Sequence, residues 1–405
     1  MATTVLTPWR VAAVTGAALA VVLAFAAHPA AAQESRWRAT IGDRITVDDN
    51  PLMAPGSNDH VFNNTVMADL AADWRSPRMT LGLTLGADHN TYYGPGADTM
   101  PDSNNYRAGV AASSRGPRFD YSANANYRRE AVQQAELLDT GATTGDADRI
   151  GKTVSGMMGW QRSARDRIEG TAGFEDVDFQ GDPDPSGRRN PFNAVTIGGA
   201  HIRQLTPRDT FTTELTARFM DADDTLNSKS QTYELTGTLE RQRSAAITTR
   251  FGGGLGLAQR EFDDEDDASI RRDATDPALT LLAGITYTIP RVTLSFDLEQ
   301  GFEPTARGTM AQRLAASAAA TYELRPTVRA RFDAEYSAAW YEVEFLPSGA
   351  ADRQYLTFGP GIEWRFQPNW TFNAGYRFRH LEDGDGTANG NQIFAQVTWN
   401  LTPLR

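Results

Sequence analysis

From residue 36 onward, apolar and polar positions alternate with a period of two, and short polar turns interrupt the alternation at every second connection. The pattern is plainest late in the chain. Over 370–381, Trp370, Phe372, Ala374, Tyr376 and Phe378 alternate with Thr371, Asn373, Gly375, Arg377 and Arg379. Over 327–343, Val328, Ala330, Phe332, Ala334 and Tyr336 alternate with Arg329, Arg331, Asp333, Glu335 and Ser337. Residues 210–221 repeat the pattern from Phe211 to Phe219. A two-residue period sends successive side chains to opposite faces of a strand, so one face suits an apolar surrounding and the other suits water. The pattern predicts eighteen strands, at 36–48, 61–75, 79–92, 105–115, 118–131, 150–162, 167–180, 193–205, 210–221, 231–242, 245–262, 277–288, 292–303, 310–324, 327–343, 353–366, 370–381 and 390–402. Without the two most weakly patterned segments, 36–48 and 105–115, the count is sixteen.

The connections are asymmetric. Short turns fall near Ser76-Pro77-Arg78, Gly116-Pro117-Arg118, Ser163 to Asp166, Thr206-Pro207-Arg208, Arg243-Ser244, Ile289-Pro290-Arg291, Arg325-Pro326 and Gln367-Pro368-Asn369, with longer polar loops between them. An outer-membrane barrel keeps its short turns on the periplasmic rim and its longer loops outside, and a soluble β-protein has no reason to sort them. Alternation alone would also fit a β-sandwich, which concentrates aromatics in mid-strand. Here Trp74, Phe119, Trp160, Phe211, Tyr287, Tyr322, Trp364, Phe366, Trp370 and Trp399 lie near short turns or the last strand's end. Tyr92, Tyr93, Tyr127, Phe179, Phe219, Tyr233, Phe302, Tyr341, Tyr355 and Phe378 lie near the long-loop ends. Two aromatic rims match the two interfaces of a bilayer. The expected fold is all-β, a transmembrane antiparallel up-and-down β-barrel with both chain ends on the short-turn side.

Residues 1–32 read as a cleaved secretory signal peptide. An Ala-rich apolar run follows Arg10, and Ala30-Ala31-Ala32 before Gln33 has the small-residue form of a cleavage site. The run is shorter than the roughly 20 residues of a spanning helix. Residues 33–405 then form one barrel domain, exported through the periplasm to the bacterial outer membrane. The chain has no cysteine, which excludes a disulfide framework and thiolate metal sites. A net charge of −12 without a basic tract excludes nucleic-acid binding as a function class.

The stretches Trp364-Arg365-Phe366, Trp370-Thr371-Phe372-Asn373-Ala374-Gly375-Tyr376-Arg377-Phe378-Arg379 and Ile393-Phe394-Ala395-Gln396-Val397-Thr398-Trp399-Asn400-Leu401 resemble the beta-barrel porin type 2 family of proteobacterial outer-membrane proteins. The wording is confined to the last third of the chain, and the rest shares the pattern alone. The resemblance implies an outer-membrane barrel, often associated with exopolysaccharide export, and no catalytic residues. The chain departs from many barrels by ending Thr402-Pro403-Leu404-Arg405 rather than on an aromatic, so recognition by the barrel-assembly machinery would rest on Trp399 and Leu401.

An eighteen-stranded barrel is too wide for side chains alone to fill, so it conducts or is plugged. Its inward positions carry both signs. The charge candidates are Arg329, Arg331, Asp333, Glu335, Glu363, Arg365, Arg377 and Arg379, with the arginines on adjacent strands offering a contact surface for an anion or sugar acid. They are equally read as paired, solvated charges; Glu323 and Arg329 face each other across a turn. The longest outer loop, 132–149, carries Glu136, Asp139, Asp146 and Asp148, and its position resembles the constriction loop of general porins. The acidic outer loops suit a lipopolysaccharide surface through bridging cations, and no segment has the spacing of a calcium loop. No cofactor or metal is expected. Catalysis has little support: His60, His89, His201 and His380 lie in no nucleophile motif, and only a Ser163–His201 pairing would suggest a lipid hydrolase. The function expected is a porin-like passive channel for hydrophilic solutes or an exopolysaccharide conduit. A non-conducting structural or surface-binding barrel is the alternative.

Overall fold

The computed structural model describes residues 34–57, 60–132, 147–181, 190–223, 228–263, 271–304, 310–340, 353–383 and 386–401. They form eighteen strands: β1 (Glu34–Asp48), β2 (Val61–Arg75), β3 (Met79–Tyr93), β4 (Ser103–Arg115), β5 (Phe119–Ala131), β6 (Ala147–Gln161), β7 (Asp166–Gly181), β8 (Phe192–Thr206), β9 (Asp209–Ala222), β10 (Lys229–Gln242), β11 (Ile247–Asp263), β12 (Arg271–Ile289), β13 (Val292–Pro304), β14 (Met310–Arg325), β15 (Val328–Trp340), β16 (Arg353–Gln367), β17 (Trp370–Asp383) and β18 (Gly386–Leu401). Each strand pairs antiparallel with its sequence neighbours, and β1 closes on β18 from Ala39↔Leu401 to Asp48↔Gln392. The fold is a closed up-and-down barrel of eighteen strands. Both weakly patterned segments are strands, so the count of sixteen falls away.

The largest boundary differences lie at the long-loop ends. β12 begins at Arg271 rather than 277, β6 at Ala147 rather than 150, and β18 at Gly386 rather than 390. There the ladder outruns the alternation, because a strand rising beyond an apolar band no longer needs an apolar outer face. At the opposite end, tight turns hold the hairpins. The Gly116 amide donates to the Phe119 carbonyl at 2.7 Å, and the Ser76 amide to that of Met79 at 2.8 Å.

Alternation fixes which side chains face out. Ile41, Leu215, Leu235, Leu255, Leu279, Phe296, Phe332 and Ile393 are exposed on the outer wall, an apolar belt no water-facing surface would keep. Near the short turns, rings on neighbouring strands meet: Trp37 with Trp74, Phe119 with Trp160, and Trp370 stacked on Trp399 at 5.7 Å. Near the long loops Phe62 meets Tyr93, Phe219 meets Tyr233, and Phe358 meets Phe378. Four residues assigned to that second rim depart from it, Phe179 among them, which packs against the interior cluster of β7, β8 and β9, and Tyr341 lies outside the described residues. Tyr92, Phe302 and Tyr355 are buried inside the barrel. Tyr92 and Tyr355 fall on lumen-facing positions of β3 and β16, and Phe302 sits where β13 bends inward. The buried apolar clusters lie at the long-loop end of the barrel.

Candidate functional site in the barrel lumen

Many charged side chains on the inner wall are paired with a neighbour on the same strand or one or two strands away. Arg107 of β4 bonds Asp69 at 2.5 Å and Asp88 at 3.1 Å. Arg167 of β7 bonds Asp120 at 2.6 Å and Glu169 at 2.5 Å. Arg218 pairs with Glu175 at 3.3 Å, and Arg250 with Asp297 at 3.1 Å. Such pairs keep the wall wetted while cancelling most of its field.

The predicted charge candidates divide under this test. Arg329 bonds Glu323 at 3.0 Å across the turn and reaches Glu363 at 3.6 Å, while Arg331 also bonds Glu363. Arg379 is buried against Asp48 and donates to the Asn50 carbonyl at 3.1 Å. Those three arginines are therefore neutralised. Arg365 faces the lumen near the short turns and, with Asp333, Glu335 and Arg377, has no ion pair. Arg331, Asp333, Glu335, Glu363 and Arg377 line one cavity of about 670 Å³ against β15–β18 and β1.

The sequence reading missed Arg44, which lines the same cavity from β1. Its guanidinium lies 4.4 Å over the ring of Phe394. Phe394 rests against the wall at Gly375, where a Cβ would come within 2.8 Å of the ring. A cation–π contact thus holds Arg44 in place with no carboxylate to neutralise it. The wall is loosened beside Arg377. The β16–β17 ladder runs from Phe358↔Phe378 to Gly361↔Gly375 and lapses between them, at Gly359 and Pro360. The Arg365 amide donates toward β15. By alternation the nitrogen of Pro360 faces β17, where it has no hydrogen to give.

A second departure from regular pairing narrows the lumen. β12 pairs with β13 only from Leu281↔Gln300 to Ile289↔Val292, although β11 follows β12 up to Arg271. β13 stays paired with β14 as far as Pro304↔Met310. The end of this hairpin therefore leaves the wall and bends inward as a strap. Its Phe302, 8% exposed, belongs to one buried apolar cluster with Val177, Phe192, Ala194, Met220, Ala222 and Ala258, residues on the lumen face of β7, β8, β9 and β11. The Phe302 amide donates to Glu234 Oε1 of β10 at 3.1 Å. Gly256 makes room, since a Cβ there would stand 2.9 Å from the Phe302 ring. The Thr288 amide donates to the Ala246 carbonyl beside β11, so by alternation the nitrogen of Pro277 lies on the free edge of β12. A proline there sacrifices no ladder bond and cannot offer one back to β13.

The first long connection, after β1, also folds inward. Asn50 bonds the Ala54 carbonyl and amide and the Asn389 carbonyl, each at 3.0 Å. This holds Met53 at φ 49° while its side chain packs on Tyr355, Leu381 and Ala388. Leu52 turns the other way, onto Val61, Tyr92 and Met100. Of the predicted constriction loop, Glu136, Asp139 and Asp146 lie outside the described residues. Asp148 belongs to β6 rather than to a loop and bonds Arg129 at 2.6 Å, at an outward-facing position. Among the described residues, the first connection and the β13–β14 strap enter the lumen, and Met100 of the β3–β4 connection packs on the same interior face. A proline inside a barrel strand was the signal available for the strap.

Ser163 and His201 meet only through a third residue. The Ser163 hydroxyl donates to Asp166 at 2.8 Å and His201 Nε2 lies 3.5 Å from the same carboxylate. The Ser163 oxygen also accepts the Arg165 and Asp166 amides, which makes it a turn cap. The carboxylate stands between the two, where a nucleophile needs the imidazole.

No family model matches the chain, and no curated protein matches it in sequence. Solved structures are similar in shape. OccAB3 of Acinetobacter baumannii is 12% identical, covering 91% of this chain and 100% of that one, with a TM-score of 0.44. OpdK of Pseudomonas aeruginosa is 13% identical over 91% and 99%, with a TM-score of 0.47. A BenF-like porin from Pseudomonas fluorescens is 10% identical over 91% and 99%, with a TM-score of 0.46. At these scores the fold rests on the chain's own ladders and the chemistry on its own side chains.

Proposed function

We propose that this chain is an outer-membrane, porin-like channel through which small hydrophilic solutes pass passively, with preference for those carrying a carboxylate. One observation carries the reading: Arg44 and Arg377 share a lumen cavity of about 670 Å³ and neither has a carboxylate partner. With no ion pair of their own, both guanidiniums are free to meet an anion between them, in a cavity that also holds Asp333 and Glu335. Asp333 and Glu335, in the same cavity, would accept hydrogens from solute hydroxyls, so a hydroxylated acid such as a sugar acid fits both. The barrel would sit with its short turns toward the periplasm and its outer belt in lipid. Export of a polysaccharide, the finer expectation from the beta-barrel porin type 2 resemblance, is less favoured. The inward-folded first connection and the strap suit small solutes better than a continuous polymer.

The test is single-channel recording of the refolded protein in a planar bilayer, with the anion-to-cation permeability ratio taken from reversal potentials. Arg377→Gln and Arg44→Gln should each lower that ratio, and together they should lower it further. An unchanged ratio in the double variant would remove the basis for the anion preference, and silence across many insertions would remove the channel.

A further inference from the structure

Further round the inner wall from the arginine niche lies a second cavity, of about 250 Å³, whose unpaired charges are all acidic. It sits where β12 and β13 part. Glu214 of β9, Glu234 of β10 and Glu299 of β13 line it together with Thr236, Thr238 and Thr280. In a ring of eighteen strands, β9 and β10 lie half a circumference from β18 and β1.

None of the three glutamates has a cationic partner. Glu214 accepts only the Thr216 hydroxyl, at 3.4 Å, and Glu234 the Phe302 amide. Glu299 has no hydrogen bond or ion pair. The nearby arginines are committed elsewhere: Arg218 to Glu175, Arg250 to Asp297, and Arg313 to Glu303 at 2.5 Å. An independent feature marks the same place. Thr280, on the lumen face of β12, lines the cavity, is 4% exposed, and its hydroxyl has no hydrogen-bond partner. A buried hydroxyl is costly to leave unmatched. Among the described residues no three acidic, histidine or cysteine groups sit close enough to share a metal ion. Carboxylates spread around a cavity of this size suit a larger cation with several donors.

We infer that this cavity is a binding site for a small organic cation, a protonated amine bearing hydroxyl groups. The ammonium would donate charge-assisted hydrogen bonds to the glutamates, and the threonines would meet the hydroxyls. The site rests on the lumen being open to water, as the channel reading holds, but it needs no current.

The probe is ethanolamine, titrated at pH 7 by ligand-observed NMR into the full chain in detergent, with ethylene glycol as its neutral analogue and calcium chloride as the metal control. Saturable ethanolamine binding should weaken about tenfold in Glu299→Gln and in Glu214→Gln. It should be unaffected by Arg377→Gln, and ethylene glycol should not compete. The glutamate variants are accepted only if they keep the heat-modifiable mobility of the folded barrel. Equal binding of ethylene glycol, displacement by equimolar calcium, or binding indifferent to both glutamate variants overturns the site. Binding without conductance keeps the site and sinks the channel reading; conductance without binding does the reverse.

Discussion

Replacing Phe302 with alanine tests whether the strap is held by its anchor. Phe302 is buried among six lumen-facing apolar residues from four strands, and Glu234 fixes its amide. Removing a packed phenylalanine side chain costs about 3–5 kcal/mol in a closed core. The strap borders a watery lumen, so the low end, about 3 kcal/mol, is the appropriate figure. That is a factor of about 150 in the equilibrium between strap down and strap released. The loss is local, because the barrel remains closed by the β1–β18 ladder, far from β13. Hydrogen exchange at the Phe302 amide in detergent should accelerate by about that factor while mid-barrel amides stay protected. Single-channel records should show more frequent excursions to a larger conductance. Glu234→Gln keeps an acceptor for the amide and should have a much smaller effect. If Phe302→Ala leaves both the exchange rate and the opening frequency unchanged, the strap is held by something other than its apolar anchor.

Two further outcomes concern stability, read from the urea midpoint at which heat-modifiable mobility is lost. Asp48→Ala leaves Arg379 buried with only the Asn50 carbonyl and should cost about 3–5 kcal/mol, whereas Asp48→Leu combined with Arg379→Met should recover most of that loss. Pro277→Val, on the free edge of β12, should shift stability by no more than about 0.5 kcal/mol, while Ile285→Pro, whose amide faces its β13 partner Phe296, should cost about 3 kcal/mol or more.

The outer wall was legible in the sequence because lipid imposes one rule on every strand. The eighteen strands, their order and the rim at Trp370 and Trp399 all follow from a period of two and from turn residues. The inner wall obeys no such rule. Water tolerates polar, small or apolar side chains, so closeness to a long loop does not separate Tyr355 from a rim tyrosine, and only its place in the alternation of β16 does. The strap was hidden for the same reason. Phe302 falls where strand alternation would point it outward, and only the separation of β13 from β12 turns it in. Pro277 and Pro360 did carry a signal. Each stands in a strand otherwise paired on both sides, and each marks a stretch where one ladder lapses.

Charge shows most clearly what position along the chain leaves out. Counting inward arginines gave Arg329, Arg331, Arg365, Arg377 and Arg379 equal standing, yet a field in the lumen depends on which of them remain unpaired. Pairing is set by register between strands that are distant in sequence: Arg379 meets Asp48 across 331 residues, and Arg250 meets Asp297 across 47. Once those contacts are made, the mid-wall groups without an ion pair include Arg44, Arg377, Asp333 and Glu335 in one cavity and Glu214, Glu234 and Glu299 in the other. Opposed, uncancelled charges impose a transverse field on a passing solute, which orients dipoles as well as sorting ions. A lumen whose charges were all paired would discriminate by size alone. The residues left unpaired are therefore where selectivity should be sought.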